Sequence, residues 1–200
     1  MDGLNRREPN LPHNSDKRIL DSAILMTRCQ RGDTEAFAGI VGMWERPLFY
    51  YLRRLAASEA DTWDLLQETW LRVFRSMHRL RDPRALPAFL YATARNVAIT
   101  RLRLRPTTDE PLPDAGRENA ALDCAFIAFD DAEQVHHALD RLPLPQREAL
   151  TLYFLQDLSI DEIALVLDVP PGTVKSRLHY GKQAIRKVIE NGDGHVRGTD

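Results

Sequence analysis

The sequence predicts an all-α protein: two small helical domains joined by an acidic, flexible linker. Three observations carry that reading. Apolar residues recur at helical spacing over residues 19–105 and again over 133–190, with no sustained alternation of a β-strand. The segment between them, 106–132, opens with prolines and holds seven acids against one Arg, the composition of a solvated connector. Charge is also segregated. The chain is −2 overall, yet 72–105 carries nine Arg against Asp82 alone, and 170–187 carries five Lys or Arg and no acid. Two basic stretches flanking an acidic one suggest a polyanion touched twice.

The ends and the broad class follow. Residues 1–18 are polar, contain Pro9 and Pro12, and read as a disordered tail; the glycine-rich 191–200 reads as another. With 44% apolar and 28% charged residues over 200 positions, the chain has a globular balance. No apolar run reaches the ~18 residues of a membrane span, and no apolar stretch follows the basic N-terminus as in a secretory leader. Two cysteines, Cys29 and Cys124, make no disulfide framework. A cytoplasmic location without membrane insertion is expected.

In the second domain, Ser159-Ile160-Asp161-Glu162 is a capping box that starts a short helix. Asp168-Val169-Pro170-Pro171-Gly172 breaks it, with Asp168 where a left-handed residue is needed and Asp is tolerated. A second helix follows from about Gly172. Its apolar positions Val174, Leu178, Gly181, Ile185 and Val188 step by four and three. The other side shows Thr173, Ser176, Arg177, His179, Tyr180 and Gln183, flanked by Lys175 and Lys182. A tight turn followed by a helix rich in bases and hydrogen-bonding groups is the geometry that places a recognition helix in a major groove. A plain helical hairpin with a solvated polar face would read the same way.

In the first domain, Trp63, Leu66, Trp70, Val73 and Met77 form a helical stripe expected to face the core. The opposite face groups Asp64, Gln67, Glu68, Leu71 and Arg75, where one exposed leucine among polar groups can mark a docking site. A loop from Leu80 to Pro87 carries Arg81 and Arg84. The following helix places Asn96, Thr100 and Arg103 on one face, with Leu90, Ala94 and Val97 inward. An amide, a hydroxyl and guanidiniums can bond the edges of unstacked bases while the basic surround holds phosphates.

The literal residues are more specific than these patterns. Leu142 to Leu150 (LPLPQREAL), Leu158 to Ala164 (LSIDEIA) and Gly172 to Leu178 (GTVKSRL) closely resemble region 4 of bacterial sigma factors of the extracytoplasmic-function group. Asp64 to Trp70 (DLLQETW) resembles their region 2.2, and Phe89 to Asn96 (FLYATARN) their regions 2.3–2.4. Asp168, Phe89 and Tyr180 stand where the family often has Gly, Trp and Arg. The resemblance implies a transcription initiation factor. Its core RNA polymerase contacts would be Asp64, Gln67, Glu68, Leu71 and Arg75. Its melted −10 promoter DNA contacts would be Arg81, Arg84, Phe89, Arg95, Asn96, Thr100 and Arg103. Its −35 DNA contacts would be Thr173, Lys175, Ser176, Arg177, His179, Tyr180 and Lys182. It further implies an anti-sigma partner and a linker threading the polymerase's RNA exit path.

No glycine loop for phosphate, no nucleophile elbow and no metal-spaced His or Cys set is present, so neither an enzyme, a cofactor nor a metal is read. A dimeric helix-turn-helix repressor and a sigma mimic that binds only an anti-sigma protein are the alternatives.

Overall fold

The computed structural model describes residues 14–104 and 138–192. Both expected tails and the 106–132 linker lie outside that range, apart from residues 14–18 and 191–192. Among the described residues every regular element is helical: α1 (Asn14–Gln30), α2 (Thr34–Arg53), α3 (Glu59–Ser76), α4 (Leu86–Leu104), α5 (Leu144–Leu150), α6 (Ile160–Leu167) and α7 (Pro171–Gly192). The stretch read as a loop from Leu80 to Pro87 is more ordered than expected. A 3₁₀ turn at Pro83–Ala85, begun by the Asp82 carboxylate accepting from the Arg84 N–H at 2.9 Å, runs straight into α4.

The caps explain the boundaries. Asp33 accepts from the N–H groups of Glu35 and Ala36 to start α2, and its carboxylate is anchored 2.7 Å from Arg28 at the end of α1. Ser58 caps α3 through the Asp61 N–H. The Ser159 box forms as read, with the Glu162 N–H donating to Ser159 Oγ at 3.3 Å and the Ser159 N–H to Glu162 Oε2 at 2.8 Å. Asp168 does adopt the left-handed conformation, φ 54° and ψ 53°.

In the first domain α2 and α4 cross at an aromatic centre. Trp44, Tyr51 and Tyr91 are fully buried, with Tyr91 edge-on to both Trp44 and Tyr51. In the second, where α6 packs on α7, Ile163, Val174, Leu178 and Leu152 are fully buried in the core. The two cores are continuous: buried side chains from 26–98 and 138–185 form one cluster, and α6 lies against α4.

One expectation about packing is corrected. Trp63 does not join the core stripe; it is 50% exposed and rests on Phe49, ring centroids 4.5 Å apart. The inward face of α3 runs instead through Thr62, Leu65, Leu66, Thr69 and Val73. The Thr62 and Thr69 hydroxyls donate to the carbonyls of Ser58 and Leu65 one turn back. With its hydroxyl satisfied within the helix, each threonine packs as an apolar group.

Candidate functional site

The outward face of α3 is a ridge between two grooves. Asp64, Gln67, Leu71 and Arg75 are exposed and Glu68 is half-buried. On one side, Asp64, Gln67, Glu68 and Leu71 meet Val97, Thr100, Arg101 and Leu104 of α4 around a groove of about 320 Å³. Charges there are paired: Arg101 Nη2 lies 3.3 Å from Asp64 Oδ2 and 3.7 Å from Asp61 Oδ1, and Arg72 Nε lies 2.7 Å from Glu68 Oε1. On the other side, Gln67 and Leu71 share with Phe37, Trp63, Trp70 and Phe74 an aromatic groove of about 340 Å³. Phe37 sits edge-on to both Trp70 and Phe74. Leu71 and Phe74 are 47% and 56% exposed, so with Trp63 they form an apolar patch beside charged groups.

The α4 face is as expected in part. Asn96, Thr100 and Arg103 are exposed on one side, and the Thr100 hydroxyl donates to the Asn96 carbonyl at 2.6 Å. Arg81 and Arg84 are exposed just before the helix. Two residues depart. Phe89 is half-buried against the core rather than presented outward. Arg95 turns to the second domain, its Nε donating to Glu148 Oε1 at 2.8 Å. Leu90, Ala94 and Val97 occupy the inward face, leaving Arg95 at the border where α4 meets the neighbouring domain.

On α7 the polar side is open. Lys175 is exposed, and Thr173, Ser176, Arg177, His179, Tyr180 and Lys182 are half-exposed, spread over the first three turns of the helix. The Ser176 hydroxyl donates to the Gly172 carbonyl at 3.0 Å. His179 stands edge-on to Tyr180 and within 2.9 Å of the Gln183 amide nitrogen. The Lys182 ammonium lies over the Phe154 ring, 5.0 Å from its centroid. Positive charge and hydrogen-bonding groups therefore share the solvent-facing side of the first turns of α7.

Three further residues line these surfaces beyond the candidates that the sequence offers. Arg101 could have been found from its i+4 spacing to Val97, which places it beside the α3 acids once α3 and α4 are paired. Phe74 was legible as an aromatic residue off the core stripe. Phe154 depends on a contact with α7 that has no local signal. Among the described residues no cluster of His, Cys, Asp or Glu could hold a metal ion, and no helix is long and apolar enough to cross a membrane.

Two family models match this chain: Sigma-70 region 2 over residues 40–105 and Sigma-70, region 4 over 132–185. The ECF RNA polymerase sigma factor SigW of Bacillus subtilis is 26% identical over 174 residues, covering 81% of this chain and 93% of that protein. The ECF RNA polymerase sigma-E factor of Salmonella typhimurium (strain LT2) is 29% identical over 185 residues, covering 86% and 95%. Among solved structures, CnrH in complex with the cytosolic domain of CnrY superposes with a TM-score of 0.63 at 19% identity, over 86% of this chain and 98% of that one. The sigma factor RpoE in complex with the anti-sigma factor NepR from Bartonella quintana gives 0.62, also at 19%, over 78% and 98%. These two structural likenesses speak for the fold.

Proposed function

This chain belongs to the sigma-70 family of transcription initiation factors, with its curated relatives in the extracytoplasmic-function group, and we propose that each of its exposed faces performs one step of initiation. The α3 ridge, Asp64, Gln67, Glu68, Leu71 and Arg75, docks on core RNA polymerase. Arg81, Arg84, Phe89, Arg95, Asn96, Thr100 and Arg103 take the melted −10 strand. Thr173, Lys175, Ser176, Arg177, His179, Tyr180 and Lys182 read the −35 duplex. The acidic 106–132 segment joins domains 19–105 and 133–190. The protein is a cytoplasmic initiation factor without catalytic activity of its own, and an anti-sigma protein holds it inactive. The structural neighbour RpoE, solved with the anti-sigma factor NepR, supports that last reading.

The single observation carrying the assignment is that both family regions occur in order, each with its polar face turned outward. Binding energy has a clear division. Phosphate contacts from Arg and Lys supply salt-dependent affinity, and side chains on α7 supply sequence choice. Unstacking a −10 base costs a few kcal/mol, which the polymerase contacts must offset.

The test uses two variants of the full chain. Asp64→Ala with Gln67→Ala is expected to weaken core polymerase binding. Arg177→Ala is expected to leave core binding intact and reduce promoter use. The reverse pattern would show that the roles of the two halves have been exchanged.

A further inference from the structure

One cation of α7 is held by an aromatic ring where a carboxylate is the usual partner. α5 continues past Leu150 into a π-helical turn, Thr151–Leu155, in which Thr151 and Leu152 are buried while Phe154 is 40% exposed. Such turns are rare and recur at functional sites. The Tyr153 ring stands edge-on to Phe154, centroids 4.9 Å apart, and props it from the side. Over the Phe154 ring lies the Lys182 ammonium, 5.0 Å from the centroid. No acid occurs between positions 170 and 187, and among the described residues no carboxylate pairs with Lys182.

The kind of partner decides what the cation can still do. A carboxylate neutralises a base and occupies its N–H donors; Arg72 and Arg101 beside the α3 ridge are paired that way. An aromatic face attracts the ammonium through its quadrupole, cancels none of its charge, and leaves the donors turned away from the ring open to a second partner. It also narrows the rotamers of a flexible four-carbon stem, whose freedom is otherwise lost at the moment of binding. Lys175 stands seven positions before Lys182, two turns along the same edge of α7, and is exposed. The seat thus keeps a second full charge on that edge, pre-organised for an anion.

We propose that Phe154 is a positioning residue for duplex recognition: its ring seats Lys182 so that the ammonium meets a backbone phosphate beside the −35 element. This rests on the initiation-factor reading, which assigns Lys182 to the −35 duplex. Phe154 has no base preference of its own. It acts through Lys182, raising affinity for any duplex laid on α7 without changing which bases are chosen. A ring that merely filled space would act with or without the lysine, whereas the effect of a seat on DNA disappears when Lys182 is removed.

The experiment measures duplex affinity by fluorescence anisotropy from about 50 to about 200 mM salt. It has two arms: the full chain with core polymerase on a promoter fragment mapped from RNA 5′ ends, and the full chain alone on a mixed-sequence duplex. Lys182→Gln is expected to weaken binding about three- to tenfold at the lowest salt. It should also flatten the slope of log affinity against log salt by about 0.9, the share of one phosphate. Phe154→Leu is expected to weaken binding about two- to fivefold, and Phe154→Trp, the best ring for a cation, to bind at least as tightly as wild type. With Lys182→Gln in place, neither change at Phe154 alters affinity further. No loss with Phe154→Leu, or a loss of equal size with and without Lys182, overturns the seat. Should Phe154→Leu lose helicity by circular dichroism, Phe154→Trp decides alone: binding as tight as wild type or tighter supports the seat, and weaker binding overturns it. Coupling on the mixed-sequence duplex without defined starts from core polymerase supports the seat and removes the initiation reading beneath it. Defined starts without coupling in either arm keep that reading and remove the seat.

Discussion

Gly181 of α7 is pressed against Leu150 of α5: a Cβ at position 181 would lie 2.7 Å from Leu150 Cδ1 and 3.2 Å from its Cγ. Leu150 is itself buried, so it has little room to retreat. Gly181 thus sets how closely the recognition helix approaches the rest of its domain. Gly181→Ala gains about 1 kcal/mol of helix propensity but overpacks a filled core at about 1–3 kcal/mol, so a net loss of about 1 kcal/mol is expected. Leu150→Ala alone should cost about 2–4 kcal/mol. The double variant should cost less than the sum, because the truncated leucine makes the space the new methyl needs. Urea denaturation of all four chains measures the coupling, and additive losses would contradict the contact.

Asp168 holds the helix-turn-helix bend in a left-handed conformation, which costs a non-glycine residue about 1–2 kcal/mol, less for Asp. Asp168→Gly removes that strain and loosens the unfolded chain, for a net gain of about 0.5 kcal/mol. Asp168→Val, β-branched, should lose about 1–2 kcal/mol. Thermal melting of the three proteins ranks them, and a valine variant as stable as the glycine variant would remove the strain argument.

Burial lifts the phenols of Tyr51 and Tyr91 well above the usual tyrosine range. For Tyr51 the neighbouring Glu148 carboxylate adds to the effect of burial. A folded-state value above the unfolded one means that the folded chain keeps protons the unfolded chain releases. Stability from these groups is therefore full below about pH 10 and declines above it, by up to about 1.4 kcal/mol per pH unit for each phenol. Urea midpoints between pH 9 and 11 should fall faster for wild type than for Tyr51→Phe with Tyr91→Phe. Parallel curves would show that these hydroxyls titrate normally.

The aromatic groove beside the α3 ridge should matter for polymerase binding although it contributes little to folding. Phe74→Ser and Leu71→Ser alter exposed side chains, so stability should stay within about 0.5 kcal/mol. Core polymerase affinity, read by fluorescence anisotropy, should fall about tenfold for Leu71→Ser, the ~1.4 kcal/mol of one well-placed apolar contact. Unchanged affinity in both variants would place the docking surface elsewhere.

Much of this was legible in the residue pattern, and what was not has a common cause. The Ser159 box and the left-handed Asp168 are local: their partners lie within a few residues, so spacing alone identifies them. The exposed Asn96, Thr100 and Arg103 follow from one helix's periodicity. Periodicity points Trp63 inward because it treats threonine as polar, whereas Thr62 and Thr69 hide their hydroxyls in their own helix and take the inward face. The resemblance offers Arg95 to DNA and gives no sign of its partner Glu148, which stands 53 positions away in another domain. Glu148 itself was visible only as one letter of a motif. Tertiary pairing between the two domains leaves no periodic trace.

The central claim is that this chain recognises promoters only when mounted on polymerase. It is tested most directly by transcribing genomic fragments with core enzyme, with and without the purified protein, and sequencing RNA 5′ ends. The account predicts a defined set of starts that needs both components, lost with Arg177→Ala and with Asp64→Ala plus Gln67→Ala. Starts that are indifferent to the protein, together with tight binding of duplex DNA by the protein alone, would contradict it.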